Sequence, residues 1–495
     1  MKANASCVFT NSQYNRMRTN NMGQPLERTD QIPPVLTPEQ GEIPGYIGAP
    51  STFVFHGYQP IRREVVLWQG QEVVIYDITR SFGNYPPEGW NKRITNESYG
   101  PLQSIGAFRN PYVTLDMFET LNPSLEQESP DIWSQIERDI KESGRYPMGD
   151  TGLHIIMPEL SDQTQRMFFR MARQNYFNRW GTYPDFVWLP EMAVDTRTLG
   201  NLVAEGFKGT ILRRDQMIAD APSPAYKVAT EHGDCIVVNS DPGLSAVLAF
   251  HDPDAPTVMK WLEQAQDDLG FPPIIAVDGE TIGHHRPQAV DLLKYLIHYD
   301  LPRAISNHTF NPTIDFSNLP TARVIDGSSW SCLCIVNELA RGDHANHPEE
   351  LAFGRWRGAD RCSCDLPEDQ GMAAEVRRIK RDLDVKLKTG ITRVEEILTQ
   401  QYPQTDDTGM QIWREEFIRW FSEQLPKLAR GEAISSDNET TPAYREYFLL
   451  LGMLYNGATS CSRFFGDPNS IERAITNNNL VFVADVTGWE NIRPN

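Results

Sequence analysis

Short apolar segments alternate with longer amphipathic stretches from residue 52 onward. Seven of these segments have the length and composition of buried strands, and polar residues follow several of them directly. The candidate strands are residues 52–55, 153–157, 186–189, 209–212, 235–238, 274–277 and 322–325. Helical patterns lie between them, and this alternation predicts an α/β fold with parallel strands.

Three helices are predicted within the alternation. They cover residues 164–180, 196–205 with Asp195 as the N-cap, and 287–298 with proline at the first turn. Two long segments interrupt it, a first crossover at 60–150 and a loop at 328–367 that carries cysteines and histidines. Long loops usually shape the mouth of a barrel, so both are expected near a binding site.

After Gly371 the pattern changes to long helical stretches, and Pro426 is expected to end the third of them. These stretches are 372–388, 390–401, 411–425 and 444–455. They predict a helical bundle, either a separate domain or a lid packed over a barrel. Residues 1–48 show no sustained period and are interpreted as a mobile tail or a surface strap. The predicted division is a tail at 1–48, a barrel at 49–335, a loop at 336–370 and a C-terminal helical region at 371–495.

Composition narrows the choice of partners. The 495 residues carry a formal charge of -20, and no dense Lys/Arg stripe is present, so binding to nucleic acid or to an anionic membrane surface is not expected. Residues 1–20 contain no apolar segment of a signal peptide or a membrane span, which predicts a cytoplasmic protein. Cys7, Cys235 and Cys461 are scattered rather than arranged as a secreted disulfide scaffold. The oligomeric state is not indicated by the sequence.

Two carboxylates follow the apolar segment at 274–277. Asp278 and Glu280 are two residues apart, so their side chains are expected on one face, where their charges interact. Like charge and an apolar base should raise the pKa of one of them, as a general acid near neutral pH requires. The alternative is an ordinary turn that caps the next helix.

A third acid, Glu191, ends the apolar segment that contains Trp188 and Pro190. A carboxylate held by a stiff strand is suited to nucleophilic attack on a sugar carbon, and Trp188 is a candidate to stack on the pyranose. The alternative is that Glu191 starts a helix and favours its positive end.

Histidines and cysteines supply two candidate metal sites. His56, His154, His284 and His285 lie near strand ends and, with Asp278, are candidates for a catalytic metal site, although lone histidines are more often structural. Cys332, Cys334, Cys362 and Cys364 form two Cys-x-Cys pairs, with His344 and His347 between them. Four thiolates predict a structural zinc site, against the alternative of reduced buried thiols.

Four of these motifs, in this order, resemble the conserved regions of glycoside hydrolase family 57. They are His56-Gly-Tyr-Gln-Pro60, His154-Ile-Ile-Met-Pro158, Trp188-Leu-Pro-Glu191 and Asp278-Gly-Glu-Thr-Ile-Gly-His284. The resemblance implies an incomplete barrel of seven strands and helices, and a retaining double displacement on α-glucans or maltooligosaccharides that requires no cofactor. It assigns Glu191 as the nucleophile and Asp278 as the acid/base. Tyr58 stands where the family has a second histidine.

Narrower motifs resemble a branch of the family that lacks an assigned activity. They are Trp90-Asn-Lys-Arg93-Ile-Thr-Asn-Glu97-Ser-Tyr99, Ser328-Ser-Trp330-Ser-Cys332, Cys362-Ser-Cys364 and Thr459-Ser-Cys461 before Phe464-Phe465, with Arg463 where that branch has tryptophan. The substrate-binding residues that the resemblance suggests are His56, Gln59, Trp90, His154, Trp188, Asp241, Glu280, His284, Trp330 and Asp467.

Two rival functions stay open from the sequence. One is a metal-dependent carbohydrate deacetylase with His56, Asp278 and His284 or His285 as ligands. The other is a catalytically silent α-glucan-binding protein. Within the family resemblance, hydrolase, 4-α-glucanotransferase and branching enzyme are not separated by sequence.

Overall fold

The computed structural model describes residues 52–79, 89–110, 113–117, 122–251, 253–299, 316–340, 348–362, 364, 366–435, 445–467 and 469–494. The predicted tail at 1–48 and the loop histidines His344 and His347 lie outside the described residues.

The described part of the chain contains twelve strands. They are β1 Thr52–Gly57, β2 Arg63–Trp68, β3 Gln71–Asp77, β4 Val113–Met117, β5 Phe186–Val187, β6 Gly209–Arg213, β7 Met217–Ile218, β8 Ala225–Thr230, β9 Gly233–Ser240, β10 Ile274–Asp278, β11 Arg323–Val324 and β12 Ala433–Ser435.

Two sheets of parallel strands form the centre of the α/β part. In the first, β1 lies between β4 and β10, and all three strands run in the same direction. In the second, β5, β6 and β9 are parallel, while β8 is antiparallel to β9. Every residue of β1 is buried, as expected for the central strand of a parallel sheet.

Helices surround these sheets and make up most of the C-terminal region. The helices are α1 Trp90–Ile94, α2 Gly100–Ser104, α3 Asn122–Glu128, α4 Pro130–Ser143, α5 Asp162–Trp180, α6 Thr196–Ala204, α7 Pro242–Phe250, α8 Ala255–Leu269, α9 Ala289–Tyr299, α10 Cys334–Ala340, α11 Pro348–Leu351, α12 Gly354–Arg357, α13 Gln370–Gln401, α14 Ile412–Ala429, α15 Arg445–Gly457, α16 Cys461–Phe464 and α17 Arg473–Thr487. Among the described residues, none of the helices is both long and apolar enough to cross a membrane.

Five of the seven predicted strands are confirmed as members of the parallel sheets, and two are corrected. Residues 153–157 form no strand; Ile155 makes a single antiparallel bridge to Thr459, and the carbonyl of His154 accepts from the N–H of Ser460. This segment is apolar because it packs beneath the C-terminal region. Residues 322–325 contain β11, which pairs with β7 in a small antiparallel sheet. The sequence pattern also missed β4, which lies within the long first crossover.

The C-terminal helices are longer than predicted. Helix α13 runs through Gly390, where a side chain would meet Leu454 at 3.1 Å, so glycine permits close packing against α15. Helix α14 contains Pro426 and continues to Ala429 before it ends. One continuous apolar core joins β1 and β5 to α14 and α15.

Strand β2 carries a buried carboxyl, Glu64, which bonds to the C-terminal helices. Its Oε2 accepts hydrogen bonds from the side-chain amides of Asn456 and Asn479 at 2.7 and 2.8 Å. Burial raises the pKa of Glu64 to about 8, and these hydrogen bonds only partly oppose that effect. Glu64 is therefore protonated in the folded protein over a pH range where it is ionised in the unfolded chain.

We expect this difference to make the protein less stable as the pH rises from 5.5 to 8. The unfolded chain loses the Glu64 proton near its ordinary pKa and the folded protein near 8, so this group lowers the unfolding free energy by up to about 1.4 kcal/mol per pH unit in between. Glu64→Gln keeps a neutral side chain and should flatten this slope. Urea unfolding of both proteins at pH 5.5, 6.5 and 7.5 tests it, and equal slopes would contradict the assignment.

Candidate active site

Asp278 lies at the carboxyl end of β10, in register with His56 of β1. Asp278 is exposed to solvent on one side, and protein atoms on the other sides desolvate its carboxyl group. This desolvation raises the pKa of Asp278 to about 7, the charge of His56 opposes the rise, and the charges of Glu280 and Glu191 add to it. Asp278 is thus a carboxyl that holds a proton near neutral pH.

The pKa of Glu280, two residues later, is shifted in the opposite direction. Burial disfavours its charge, but the hydrogen bond and charge of His285, the charge of Arg62 and the hydrogen bond from Gln59 together lower the pKa of Glu280. The two carboxyls therefore favour different protonation states, the arrangement by which environments divide acid and base roles. Asp278 is followed by a single 3-10 turn at Gly279–Thr281, which its side chain does not cap, and the next α-helix begins at Ala289.

A helical segment missed by the sequence reasoning holds the Asp278 turn from the side. Residues Thr95–Tyr99 form a π-helical turn between α1 and α2. In this turn, the hydroxyl of Ser98 donates to the carbonyl of Gly279 at 2.7 Å, and Glu97 bonds to the Nδ1 atom of His284 at 2.6 Å. Gly283 has φ 109°, and a Cβ there would come within 1.8 Å of the Glu97 carbonyl oxygen. Glycine is needed for this close approach.

Glu191 lies beyond β5 in a left-handed backbone conformation, with φ 59°. A non-glycine residue in this region is strained, and such strain concentrates at functional sites. The residue is 7% exposed, and its carboxylate accepts three hydrogen bonds. Oε2 accepts from the indole N–H of Trp330 at 3.0 Å and from the Ser331 hydroxyl at 2.6 Å. Glu191 lies in the single 3-10 turn Pro190–Met192, and the next α-helix, α6, begins at Thr196 behind the N-cap Asp195.

A chain of hydrogen bonds runs from Glu191 to the neighbour of Asp278. Oε1 of Glu191 accepts from Ser460 Oγ at 3.1 Å, Ser460 Oγ lies 2.7 Å from His154 Nδ1, and His154 Nε2 lies 3.0 Å from His56 Nε2. Burial, with a smaller contribution from the charge of His56, lowers the pKa of His154 well below its usual value. A neutral His154 that donates from Nδ1 and accepts at Nε2 satisfies the whole chain. The region that connects Glu191 to His56 is therefore polar.

Several predicted sugar-binding side chains are instead used inside the protein. Trp188 has no exposed surface and stacks on the ring of His56 at 4.6 Å, so the expectation that it stacks on a pyranose is corrected. Gln59 is buried, donates to Glu280 and accepts from Arg62. Trp188 and Gln59 therefore support His56 and Glu280, the neighbours of Asp278, instead of facing a ligand.

Asp241 and Asp467, two predicted substrate-binding residues, differ from each other in burial and in hydrogen-bond partners. Asp241 is buried, caps α7 through the N–H of Leu244 at 2.9 Å, and accepts from Arg214 at 2.6 Å, so both of its oxygens have protein partners. Asp467 is exposed on a turn, where it accepts from the N–H of Asn469 at 2.8 Å. None of these contacts connects Asp241 or Asp467 to Glu191 or Asp278.

The remaining candidates are partly exposed. Trp90 meets the ring of His284 edge-on, with centroids 6.0 Å apart, and both are half-buried. Trp330 is also half-buried. Glu280 is likewise partly exposed, and Asp278 is exposed.

A catalytic metal has no visible ligand set at this site. Within the described residues, the one group of three or more His, Cys, Asp or Glu side chains close enough to share an ion is formed by Cys332, Cys334, Cys362 and Cys364. His284 bonds to Glu97, and His285 bonds to Glu280 at 3.2 Å, instead of converging with His56 on Asp278. The described geometry does not favour the metal-dependent deacetylase.

The sequence profile of glycosyl hydrolase family 57 matches residues 52–319, which include both acids and β1 to β10. The chain belongs to glycosyl hydrolase family 57. It is accordingly a glycosidase or transglycosidase by class. A search of curated proteins gave no significant match.

Several solved structures are similar to this chain. An exo-type maltose-forming amylase from Pyrococcus sp. ST04 superposes with a TM-score of 0.61 at 16% identity, over 90% of this chain and 81% of the amylase. A 4-alpha-glucanotransferase from Thermococcus litoralis gives a TM-score of 0.48 at 14% identity, over 90% of this chain and 59% of the other. A family 57 branching enzyme from Pyrococcus horikoshii gives 0.47 at 14% identity, over 88% and 95%. The first of these supports the same fold.

The sequence reasoning assigned no role to two of the residues that bind Glu191 in this family 57 site. Ser331 and Ser460 both lie in motifs that carried the resemblance, but a serine has no periodic signal of its own. They are 140 and 269 residues from Glu191 along the chain, so only the fold reveals the contact.

Proposed function

We propose that the chain is a retaining glycosidase or transglycosidase that acts on α-glucans by double displacement. The observation that carries the proposal is the pair of Glu191, a fixed acceptor of three hydrogen bonds, and Asp278, whose pKa of about 7 is raised in part by the charge of Glu191. A nucleophile and a protonated acid in electrostatic contact at the ends of parallel strands are what the reaction needs.

In the first step, Glu191 attacks the anomeric carbon while Asp278 donates its proton to the leaving oxygen. The hydrogen bonds from Trp330 and Ser331 orient the carboxylate. In the second step, ionised Asp278 removes a proton from water or from a hydroxyl of an acceptor sugar. The oxygen of that group attacks the anomeric carbon and displaces the Glu191 carboxylate, which gives a product of retained configuration.

We infer that the two parallel sheets are arcs of the incomplete (β/α)7 barrel. The first residue beyond β9, Asp241, donates its backbone N–H to the carbonyl of Ile274 in β10 at 2.6 Å, which brings the two sheets edge to edge. Beyond β5, Gly149 makes a parallel bridge to Val187. Six parallel strands and this bridge would give the seven members, with Glu191 and Asp278 at one end.

An α-glucan substrate is favoured by the family and by the maltose-forming amylase of the same fold. The exposed or half-buried aromatic rings Trp90 and Trp330 are the proposed sugar platforms, in place of Trp188. The half-buried His284 is the proposed hydrogen-bond partner for sugar hydroxyls beside Asp278.

The test is to incubate the protein with maltooligosaccharides and with glycogen, and to separate the products by chain length and linkage. We expect new or redistributed chains. A net gain of reducing ends identifies a hydrolase, redistribution without that gain identifies a 4-α-glucanotransferase, and new branch linkages identify a branching enzyme. Binding of glucan without any change in chain length or linkage would overturn the proposal in favour of a silent glucan-binding protein.

A further inference from the structure

Four cysteine sulfurs converge beside the loop at residues 329–332, which contacts Glu191. They come from two Cys-x-Cys pairs about 30 residues apart. The Sγ distances are 3.8 Å for Cys332–Cys362, 3.6 Å for Cys334–Cys362, 3.5 Å for Cys334–Cys364 and 3.9 Å for Cys332–Cys364. All four sulfurs lie within 4.8 Å of one another. Two of the residues are buried and two are half-buried, so the cluster is enclosed without being sealed from solvent.

These distances are those of a sulfur tetrahedron around a metal. With Zn–S bonds of about 2.3 Å, the sulfurs of a tetrahedral site are about 3.8 Å apart. A disulfide needs about 2.05 Å between its sulfurs, so the cluster is not a pair of disulfides. Soft thiolate ligands in tetrahedral array select zinc or iron and do not suit magnesium or calcium.

We propose that Cys332, Cys334, Cys362 and Cys364 bind one zinc ion, and that this zinc holds the loop that positions Glu191. The Cys-x-Cys spacing differs from the common Cys-x-x-Cys, but the fold compensates. Cys334 is the first residue of α10, while Cys362 follows α12, so each pair approaches the centre from a different element.

Basic side chains lie beside the cluster and oppose the negative charge of such a site. Four thiolates and one Zn²⁺ carry a net charge of about -2, which a buried position must compensate. Lys380 donates to the carbonyls of Arg355 and Phe464 at 2.8 and 3.1 Å, and Arg377 donates to the carbonyl of Cys362 at 3.2 Å. Arg355 interacts electrostatically with Cys332, Cys362 and Cys364. Arg355 and Lys380 thus interact electrostatically with cluster cysteines, and Arg377 bonds to the backbone of the cluster.

The cluster is joined to Glu191 through three consecutive residues. Trp330 and Ser331 donate to the Glu191 carboxylate, and the next residue is Cys332. Arg355 donates to the carbonyl of Ser331 at 2.8 Å, and the N–H of Cys332 donates to Ser329 at 3.0 Å, so the loop is fixed from both sides. A metal at Cys332 would keep the two donors in place, a role comparable to that of an outer-shell ligand.

Metal analysis of the full chain tests the binding site alone. We expect about one zinc per chain after purification without added metal, and its release after about four equivalents of a mercurial thiol reagent. The Cys334→Ser and Cys362→Ser variants should lose the zinc. Cys235→Ser, the same change at a buried thiol outside the cluster, should keep it. Substoichiometric metal in the wild type, iron in place of zinc, or full zinc in both cluster variants would overturn the site.

The link to Glu191 rests on the proposed function and is tested separately. Zinc-depleted protein that remains folded by circular dichroism should show kcat on maltooligosaccharides reduced about 10–100-fold, with KM little changed, and added zinc should restore it. If zinc is present but its removal leaves kcat unchanged, the site is purely structural and the link is wrong. If no turnover is found even with zinc, the proposed function fails while the metal content still decides the site.

Discussion

Glu191→Gln is expected to reduce turnover by roughly 1,000-fold or more while leaving the protein folded. The amide has nearly the same shape and can still accept from Trp330 and Ser331. It cannot form the covalent bond to the anomeric carbon, so the first displacement has no nucleophile. The measurement is the rate of product formation from maltooligosaccharides, together with the midpoint of thermal unfolding, which should differ little from that of the wild type.

The matched control is Glu72→Gln, the same chemical change on the exposed side of β3. It should keep wild-type turnover, because no contact joins that side chain to the Glu191 site. Wild-type turnover in Glu191→Gln would remove Glu191 from the reaction. A large loss of thermal stability in Glu191→Gln would show that the carboxylate mainly supports the fold, in which case the rate alone would not assign a role.

The positions of the two acids could be predicted because strand chemistry is local. An apolar segment that ends in Asp278-Gly-Glu280 places a carboxyl at the end of a buried strand, and the structure has β10 there. The apolar segment before Glu191 likewise contains β5. The alternation of apolar and helical segments predicted parallel pairing, which β1, β6, β9 and β10 show.

The same signal predicted one strand that does not form and missed another. Residues 153–157 are as apolar as a strand, but their partners are the C-terminal segment around Thr459, more than 300 residues away in sequence. The strand β4 reads Val-Thr-Leu-Asp-Met and lies in a crossover that looks irregular. An apolar pattern indicates that a segment is buried, but it does not indicate which part of the chain packs against it.

The residues that surround Glu191 and Asp278 are also brought together by contacts between distant parts of the sequence. An aromatic residue near a strand end can face a ligand or the core, and Trp188 faces His56. The hydrogen bond between His284 and Glu97 spans 187 residues, and its geometry depends on the π-helical turn that no local pattern predicted. The sequence therefore indicated the candidate residues, while the hydrogen bonds that orient them required the fold.

Asp278 should give kcat/KM an alkaline limb with a midpoint near pH 7. The group must be protonated to donate to the leaving oxygen, and its raised pKa of about 7 means that activity falls as pH rises through that value. Asp278→Asn should abolish the limb and most of the turnover, because the amide has no acidic proton to give. The profile is measured from pH 5 to 9 on a maltooligosaccharide.

The Glu280→Gln variant separates the pKa of Asp278 from other causes of a pH limb. The negative charge of Glu280 helps to raise the pKa of Asp278, so its removal should move the limb to lower pH. Glu97→Gln is the matched control, since Glu97 bonds to His284 and does not figure among the charges that shift Asp278. Its limb should stay in place whatever the rate. An alkaline limb that ignores Glu280→Gln, or that moves equally in Glu97→Gln, would contradict Asp278 as the titrating acid.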